Sequence, residues 1–570
     1  MFACEWFCCN QAPDLNLPEL DPEPFSLPSP LPSWPPGEGF ATGRINLGDV
    51  EVIQVTQFEI VWSCKLSQGK TEVVTFYRPV GFPDGFYCLG YYCQPDSQPL
   101  RGYVLVARDT NATKPADDSV QDLKSDSPAL TKPLNYTMIW STDSHYEGSG
   151  YFWRPNPPEG YKAMGIVVTN CPEEPDIDHV RCVRADLTER CETSDLITSV
   201  DPKSTKRPFQ VWSTKPCRTG MYAKGVPVGT FYCSNDLSSE EALLDTACLK
   251  NLDNNLGAMP NLDQIHTLIK QYGPTVYFHP DEVYMPSSVQ WFFKNGALLY
   301  EDGKQQGEPI NYMGSNLPSG GESDGEYWID LPTSDDARNF VKRGHLESAE
   351  LYVHIKPALG GTFTDMAMWV FCPFNGPATV KVGIMSIQMA KIGQHVGDWE
   401  HFTLRVSNFT GELWQVFFSQ HSGGKWVDAS ELEFIEGNRP IVYSSKHGHA
   451  SFPYAGTYLQ GSTKLGVGVR NDTARSKYYV DSSTQYQLIA AEHLGDGIVK
   501  EPCWLQYMRE WGPTTVYDGR AEIEKIIGHL PFFVRFSLEN IFDLFPTELY
   551  GEEGPTGPKE KDNWIGDEIC

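Results

Sequence analysis

The sequence predicts a mainly β fold with more than one domain, and three observations support this prediction. Aromatic residues make up 12% of the 570 residues, which favours strands that pack through large side chains. Glycine and proline recur as turn residues between short apolar runs such as LYVHIKPAL, MAMWVFCPF and LWQVFFSQHS. The chain is also too long for one hydrophobic core, so at least two domains are expected. We predict an N-terminal pseudo-threefold, β-prism-like repeat module, a short helical linker and a C-terminal β-sandwich with peripheral helices.

Residues 1–40 are expected to precede the first domain as a Cys-containing N-terminus and a Pro-rich lead-in. The stretch PEPFSLPSPLPSWPPGEG favours an extended, semi-rigid chain. The opening MFACEWFCCN has neither the basic region nor the apolar run of a secretory signal, so we expect a cytoplasmic protein with reduced cysteines. Acylation of Cys4, Cys8 and Cys9 would add peripheral membrane association. Docking of this apolar segment on the protein's own surface is the alternative.

Residues 41–236 contain a degenerate repeat that predicts the β-repeat module. Each copy has a Trp-Ser pair after a β-branched residue, then a proline-containing turn, then a Gly-x-x-x-x-Gly element. In chain order these are Trp62-Ser63 with Gly85 and Gly90, Trp140-Ser141 with Gly160 and Gly165, and Trp212-Ser213 with Gly220 and Gly225. Copies of one β unit predict a module in which neighbours bury a shared core. Unrelated hairpins marked by the same residue types are the alternative, and the third copy is shortened.

Residues 237–274 are predicted to be a helical linker. A Ser-Ser-Glu-Glu stretch at 238–241 offers a capping box for a first helix over ALLDTACLKNL. A second helix ends at Gly273-Pro274, and its apolar face consists of Leu262, Ile265, Leu268 and Ile269. Strand patterns over 275–490 predict the β-sandwich. Residues 491–570 join an amphipathic stretch to a polar tail, so we expect a C-terminal helical wrap and a tail. The tail is expected to be either an ordered wrap or a solvated end.

The net charge of −29 excludes several partners. Nucleic acid is not expected, because phosphate backbones are bound by clustered lysine and arginine. Broad attraction to anionic lipid surfaces is disfavoured for the same reason. A sugar, a neutral lipid head group or a cation is compatible with this charge. No apolar stretch is long enough to span a bilayer.

The stretch GQHVGDWEHFTLRV, residues 393–406, carries the predicted site. Alternate residues of a strand share a face, so Asp398 and Glu400 point the same way as the apolar residues that follow. Buried carboxylates are costly unless a cation or strong donors meet them. Gly397 can bend the strand and turn His395 toward the same point. We therefore predict a divalent metal site of His395, Asp398 and Glu400, suited to Mg²⁺, Ca²⁺ or Mn²⁺.

Catalysis is an alternative use of the same carboxylates. His421, His447 and His449 lie in Gly- and Ser-containing loops that follow the acid pair. One carboxylate kept protonated by burial could act as a general acid–base group. The catalytic candidates are Glu400, His421 and His449. Neutralisation of both acids by Arg, Lys or backbone donors, with no ligand at all, is the third interpretation.

The heptad HVGDWEH resembles HRHDWEH of the necrosis- and ethylene-inducing peptide-like proteins, which are secreted cytolysins with a lectin-like β-sandwich. In that family the first His, the Asp and the Glu hold a divalent cation, which implies the same role for His395, Asp398 and Glu400. Two features depart from the pattern. Gly397 replaces the middle His, and the preceding ligand Asp has Asn375 as its nearest counterpart. The missing signal argues against secreted cytolysis here.

Over its whole length the chain resembles a plant family named vacuolar protein sorting-associated protein 62. Matching stretches include FHPDEVYMPSSVQWFF, SQHSGGKWVDASELEF, YSSKHGHASFP and GEEGPTGPKEKDNW. The resemblance implies a role in membrane trafficking and no established reaction. We predict a metal-assisted binding module for a glycan or lipid head group. A metal-dependent hydrolase or lyase and a trafficking scaffold are the alternatives, and the oligomeric state is not predicted.

Overall fold

The computed structural model describes residues 24–64, 73–110, 127–142, 149–200, 209–234, 247–252, 255–421, 423–462, 466–515 and 554–569. Strands dominate these residues, so the predicted mainly β class is confirmed. The N-terminal cysteines, the capping-box stretch 238–241 and the amphipathic stretch 521–546 lie outside the described residues. None of the helices within those residues is long and apolar enough to cross a membrane.

The first part of the chain forms small antiparallel sheets. Its strands are β1 (Arg44–Asn46), β2 (Val50–Val55), β3 (Phe58–Cys64), β4 (Val74–Pro79), β5 (Tyr87–Cys88), β6 (Tyr92–Pro95), β7 (Val104–Asp109), β8 (Leu130–Thr131), β9 (Asn135–Ser141), β10 (Tyr151–Asn156), β11 (Tyr161–Lys162), β12 (Val167–Thr169), β13 (Cys182–Arg184), β14 (Thr188–Val200), β15 (Phe209–Pro216), β16 (Gly225–Val226), β17 (Phe231–Ser234) and β18 (Ala247–Lys250).

Three of these sheets share one strand order. The orders are β3-β4-β6, β9-β10-β12 and β14-β15-β17, with β14-β15-β17 extended by β18 and β16. In each sheet the middle strand runs into a turn whose glycine has a positive φ. These glycines are Gly85 at 86°, Gly160 at 81° and Gly220 at 105°. Glycine is favoured there because a Cβ is strained in this region. The spacing of the predicted repeat therefore corresponds to a recurring structural unit.

The Trp-Ser pairs do not occupy matching places in the three sheets. Trp62 and Trp140 lie buried on the first strands, β3 and β9, whereas Trp212 lies half-buried on the middle strand, β15. Phe209 of β15 instead stacks on Trp140, with ring centroids 4.4 Å apart. The matching of Trp212 to the other two tryptophans was therefore wrong, because the third sheet supplies Phe209, three residues earlier on the same strand, as its central aromatic ring.

The three sheets meet at a dry aromatic centre. Phe152 lies 4.9 Å from Phe76 and 6.4 Å from Phe231, measured between ring centroids. A Cβ on Gly90 would lie 2.8 Å from the Cα of Gly165, so these two backbones touch directly. The repeat glycines are thus required by close approach as well as by turn geometry.

The second part of the chain has longer strands. They are β19 (Thr275–Tyr277), β20 (Leu298–Glu301), β21 (Glu308–Pro309), β22 (Tyr327–Asp330), β23 (Leu351–Ala358), β24 (Phe363–Asn375), β25 (Thr379–Val382), β26 (Met385–Gln388), β27 (His395–Ser407), β28 (Leu413–Gln420), β29 (Gly423–Asp428), β30 (Phe434–Ile435), β31 (Arg439–Ser444), β32 (Ser451–Phe452), β33 (Gly456–Ser462), β34 (Val467–Thr473), β35 (Tyr479–Asp481) and β36 (Tyr486–Ala490). The α-helices are α1 (Leu262–Tyr272), α2 (Val289–Lys294) and α3 (Asp335–Lys342).

Two sheets of this part enclose one apolar cluster. The six-stranded sheet has the order β29-β28-β27-β24-β23-β36, and the facing sheet has the order β30-β31-β19-β35. Met366, Phe402 and Phe418 of the first sheet share a buried cluster with Val276 and Val442 of the second. The opposite face of the six-stranded sheet carries a second apolar cluster with α2, α3 and several tryptophans. Both faces of the long strands are therefore covered.

One of the two helices predicted between residues 237 and 274 is present in the described residues. The second predicted helix is α1, which begins after a capping box of Asn261 and Gln264 and buries its predicted apolar face. The first predicted helix is wrong over Ala247–Lys250, which is strand β18 paired with β14. Pairing with the neighbouring strand outweighs the local helical pattern of these residues.

Candidate functional site

A cavity of about 440 Å³ opens where two strands of the six-stranded sheet separate. The ladder between β27 and β28 ends at the pair Phe402 and Phe418, so the first half of β27 lies at an edge on this side. Loops after β28 and β31 and the C-terminal segment 554–569 complete the wall. Four of the predicted residues line this one cavity: His395, Asp398, Glu400 and His421.

Asp398 is a buried residue of the wall, with 5% of its surface exposed. Its Oδ2 accepts a hydrogen bond of 2.7 Å from Nδ1 of His449, and its Oδ1 lies 3.8 Å from Nε2 of His395. Burial alone would raise the pKa of Asp398, but the His449 hydrogen bond and the charges of His395 and Lys561 bring it below its ordinary value. Asp398 is therefore an anion at neutral pH.

His449 lies behind Asp398 and supplies its counter-charge. While Nδ1 donates to Asp398, Nε2 donates to the carbonyl oxygen of Tyr284 at 2.8 Å. Burial would lower the pKa of His449, but Cys372, Asp398 and Glu282 raise it well above the ordinary value. An imidazolium that donates from both nitrogens has no lone pair for a base or a ligand. The geometry thus favours a structural role for His449 over its predicted catalytic one.

Glu282 is a buried acid that the sequence reasoning missed. Its Oε1 accepts the amide N–H groups of Val283 and Tyr284 at 2.9 Å, and its Oε2 accepts the amide of His447 at 2.6 Å. Burial opposes ionisation, but contacts with His447 and His449 lower the pKa of Glu282 to about 2. The carboxylate fixes the loop that carries both histidines. The predicted residue His447 is therefore held by Glu282, beside the cavity wall.

Gly397 shapes the strand as predicted. Its φ of 75° is in the left-handed region, and a Cβ there would overlap the carbonyl oxygen of Trp511. The ladder to β24 pairs Val396 with Phe374 and Asp398 with Cys372 on either side of this point. The distortion places His395 beside Asp398, although strict alternation would put the two side chains on opposite faces.

Backbone strain accumulates in the loops around the cavity. His421, His447 and His449 have φ values of 53°, 69° and 53°. Non-glycine residues rarely adopt these values, and they persist where surrounding contacts dictate them. Nε2 of His421 lies 3.2 Å from Oδ1 of Asn471, which holds the ring at the cavity wall.

Asn375 fits the role of an additional ligand. Its amide donates to the carbonyl oxygen of Gly376, at 3.3 Å, and to that of Gly393, whereas its Oδ1 is buried and no donor among the described residues reaches it. A Cβ on Gly448 would lie 4.0 Å from this oxygen and 3.5 Å from the His421 ring, so these groups surround one space. A buried oxygen without a donor is costly in a dry interior and is relieved by a cation.

Two groups of side chains are candidates for holding a metal, and Asp398 belongs to both. Cys372, Asp398 and His449 bring ligand atoms within 4.8 Å of one another. Burial raises the pKa of the Cys372 thiol to about 11, so this group and His449 are both protonated. The other group, His395, Asp398 and Glu400, faces the cavity and offers oxygen-rich donors, but its three ligand atoms do not all lie within 4.8 Å of one another. The chemistry of the donors fits a hard divalent cation in the cavity-facing group.

The C-terminal segment closes one side of the cavity. Oε2 of Glu568 lies 2.8 Å from Nε2 of His401, and Oε1 accepts from Thr403 at 2.5 Å. Burial opposes ionisation, but the charge and hydrogen bond of His401 lower the pKa of Glu568 to about 2. Arg405 donates to both Asp365 and Asp567. The polar tail expected from the sequence is therefore an ordered wrap over this part of the sheet.

A model of the family described as vacuolar protein sorting-associated protein 62 matches residues 21–568. The chain belongs to this family. A member from Saccharomyces cerevisiae, vacuolar protein sorting-associated protein 62, is 21% identical over 428 residues, which cover 63% of this chain and 88% of the relative. The family membership that the sequence predicted is confirmed.

Two solved structures show partial similarity to the chain. GNIP1Aa from Chromobacterium piscinae shares 16% identity over 39% of this chain and 40% of its own, with a TM-score of 0.28. NLPPya, solved in complex with glucosamine, shares 13% identity over 40% of this chain and 75% of its own, with a TM-score of 0.21.

Proposed function

We propose that the cavity is a divalent-cation site that binds a glycan or a lipid head group. The observation that supports this most is the placement of two carboxylates, Asp398 and Glu400, with His395 in the wall of one cavity. Asp398 is already paired through one oxygen with His449, so its second oxygen is the one directed to the cavity side. Asn375 would add a neutral oxygen.

The bound cation would supply a Lewis-acidic centre with open positions for oxygens of the ligand. The chain's own residues prepare that centre. His449 and Glu282 hold Asp398 and the neighbouring loop in place, and Gly397 turns His395 inward. Trp369 and Phe417 lie behind the wall, where both rings stack on His401 and hold it in place. This combination supports recognition without requiring a group that moves protons.

A metal-dependent hydrolase or lyase is the second candidate. Glu400 is only half-buried and lines the same cavity, so it could act as a base toward a bound substrate. His421 is the other candidate, and its ring is held by Asn471. Turnover of a substrate that is lost on His421→Ala while cation binding persists would favour this candidate.

We also propose a cytoplasmic role in membrane trafficking. The support is the name shared by the family model and the yeast relative, which both refer to vacuolar protein sorting. Peripheral attachment through Cys4, Cys8 and Cys9 is part of this proposal. Comparison of membrane and soluble fractions for the parent and a triple Cys→Ser variant would test it, with loss of membrane association as the expected result.

The cation site is tested by isothermal titration of the purified protein with Mg²⁺, Ca²⁺ and Mn²⁺. We expect one site for at least one ion in the parent, and at least tenfold weaker binding in Glu400→Gln. Glu347→Gln is the matched control, because Glu347 is an exposed carboxylate that does not line the cavity. Absence of binding in the parent, or equal affinities for the parent and Glu400→Gln, would contradict the proposal.

A further inference from the structure

Two lysines share the cavity with the carboxylates. Lys446 lies in the loop between β31 and the strained residue His447, and Lys561 lies in the C-terminal segment. They reach the cavity from elements that are more than a hundred residues apart in the chain. The two ammonium groups share the wall with Arg470 and with the carboxylates of Asp398, Glu400, Asp562 and Glu568.

Neither lysine forms an ion pair with a carboxylate of the described residues. Other basic groups near the site do so: Lys559 binds Glu501 at 2.6 Å, and Arg405 binds Asp365 at 2.8 Å. Arg470, the third basic residue of the wall, donates to Asp472 and to Ser386, both at 2.9 Å. Lys446 and Lys561 are therefore the cations of the wall whose charges an incoming ligand can meet.

The backbone around both lysines is fixed. The Lys446 amide donates to the carbonyl oxygen of Asp472 at 2.9 Å, and the following residue is held by Glu282. Lys561 donates its amide to Pro558 and accepts from the amide of Trp564. Only side-chain freedom is lost when such a lysine binds a ligand, which keeps the entropic cost small.

We infer that the ligand of the cavity carries a phosphate group, as a monoester or a diester, and this inference rests on the proposed function. A phosphate has several oxygens that can meet a cation on β27 and two ammonium groups on separate elements at once. A neutral sugar would reach the cation and leave both ammonium groups unmatched. The shared chemistry is that of a phospholipid head group and of a soluble phosphate ester.

The test is titration of the cation-loaded protein with glycerol 3-phosphate and with glycerol. We expect glycerol 3-phosphate to bind at least tenfold more tightly than glycerol. Lys446→Gln and Lys561→Gln should each weaken that binding at least tenfold, measured at a cation concentration that saturates each variant because the Lys561 charge also acts on Asp398. Lys270→Gln is the control, because Lys270 is exposed on α1 and does not line the cavity.

The outcomes separate this inference from the proposed function. Cation binding with equal affinities for the two probes, or with lysine variants that bind glycerol 3-phosphate as the parent does, would overturn the phosphate inference alone. Absence of cation binding would overturn the proposed function itself. Sedimentation with phosphatidylcholine vesicles, with and without phosphatidic acid, identifies the source. Lysine-dependent binding to phosphatidylcholine vesicles assigns a lipid diester, and such binding only with phosphatidic acid present assigns a lipid monoester. Binding of glycerol 3-phosphate with neither kind of vesicle assigns a soluble ester.

Discussion

The aromatic centre of the repeat module and the floor of the cavity are both buried, but they are stabilised by different physics. Rings such as Phe76 and Phe152 meet edge to face at the first, and their contacts carry no charge. At the second, Asp398, His449 and Glu282 form a chain of ionised groups, in which His449 donates a hydrogen bond to Asp398 and its Nε2 lies 3.9 Å from Oε2 of Glu282. Burial of ions costs free energy of folding, so buried ions are more typical of functional sites than of stabilising cores. Burial of aromatic rings stabilises the fold directly. The comparison supports our proposal that the cavity, and not the repeat module, is the binding site.

The largest expected effect is at the aromatic centre. Phe152→Ala removes a fully buried ring that contacts several others, and we expect a loss of about 3–5 kcal/mol in the free energy of unfolding. Cation affinity of the folded fraction should not change. Denaturant unfolding beside cation titration measures both. A folded variant with parent stability would show that the three sheets do not depend on this centre.

Next in size is the effect of Glu282→Gln, and it should depend on pH. The pKa of Glu282 is lowered to about 2, so its stabilisation is complete above the ordinary value of 4.5 and is lost as the pH falls toward 2. The shift corresponds to about 3 kcal/mol at neutral pH.

Unfolding measured between about pH 6 and pH 3 should therefore show the parent and Glu282→Gln converging as acid is added. The contribution of His449 to the free energy of unfolding depends on pH in the opposite sense. Its raised pKa means that its contribution is complete below 6.5 and is lost as the pH rises through the folded-state value. A constant difference between parent and variant across the acid range would contradict the ionised chain.

Gly90→Ala is expected to have an intermediate effect. A Cβ there would press on Gly165 and on the side chain of Thr230, at 2.8 and 2.7 Å. Overpacking of this kind costs about 1–3 kcal/mol. Gly448→Ala is the matched control in the cavity, since its nearest contact would be an ordinary 3.5 Å. Equal stability of the two variants would mean that the repeat centre has room to relax.

The smallest effect on stability is expected for Glu400→Gln, which is half-buried in the cavity wall. We expect a change within about 0.5 kcal/mol in the free energy of unfolding, because the substitution keeps the side-chain volume. The same variant should lose cation binding. Thermal unfolding with and without Mn²⁺ would show this as a ligand-induced shift in the parent that is absent from the variant.

Patterns among neighbouring residues predicted several strands and one helix of this fold. Alternation along β27 placed Asp398 on a buried face, and the apolar period placed α1. The positive φ of Gly397 agrees with the expected bend. Such features depend on neighbours a few residues away, which a single sequence displays directly.

The remaining features depend on contacts that a single sequence does not display. The partner of His449 is the carbonyl of Tyr284, 165 positions away, and Glu568 meets His401 across 167 positions. Glu282 lies in the stretch HPDEVYMP, and its only local sign of burial is that it is an acid beside apolar residues. Strand β18 pairs with β14, which lies far away along the chain. The local pattern does not display this partner, so it predicted a helix.

The most direct test of the central claim is the position of the cation itself. A crystal soaked in Mn²⁺ would reveal the ion by anomalous scattering. We predict one peak in the cavity, within bonding distance of Asp398 Oδ1 and of His395 and Glu400, which is absent from Glu400→Gln crystals. A peak between Cys372 and His449, or none in the cavity after saturation with the ion, would contradict the account.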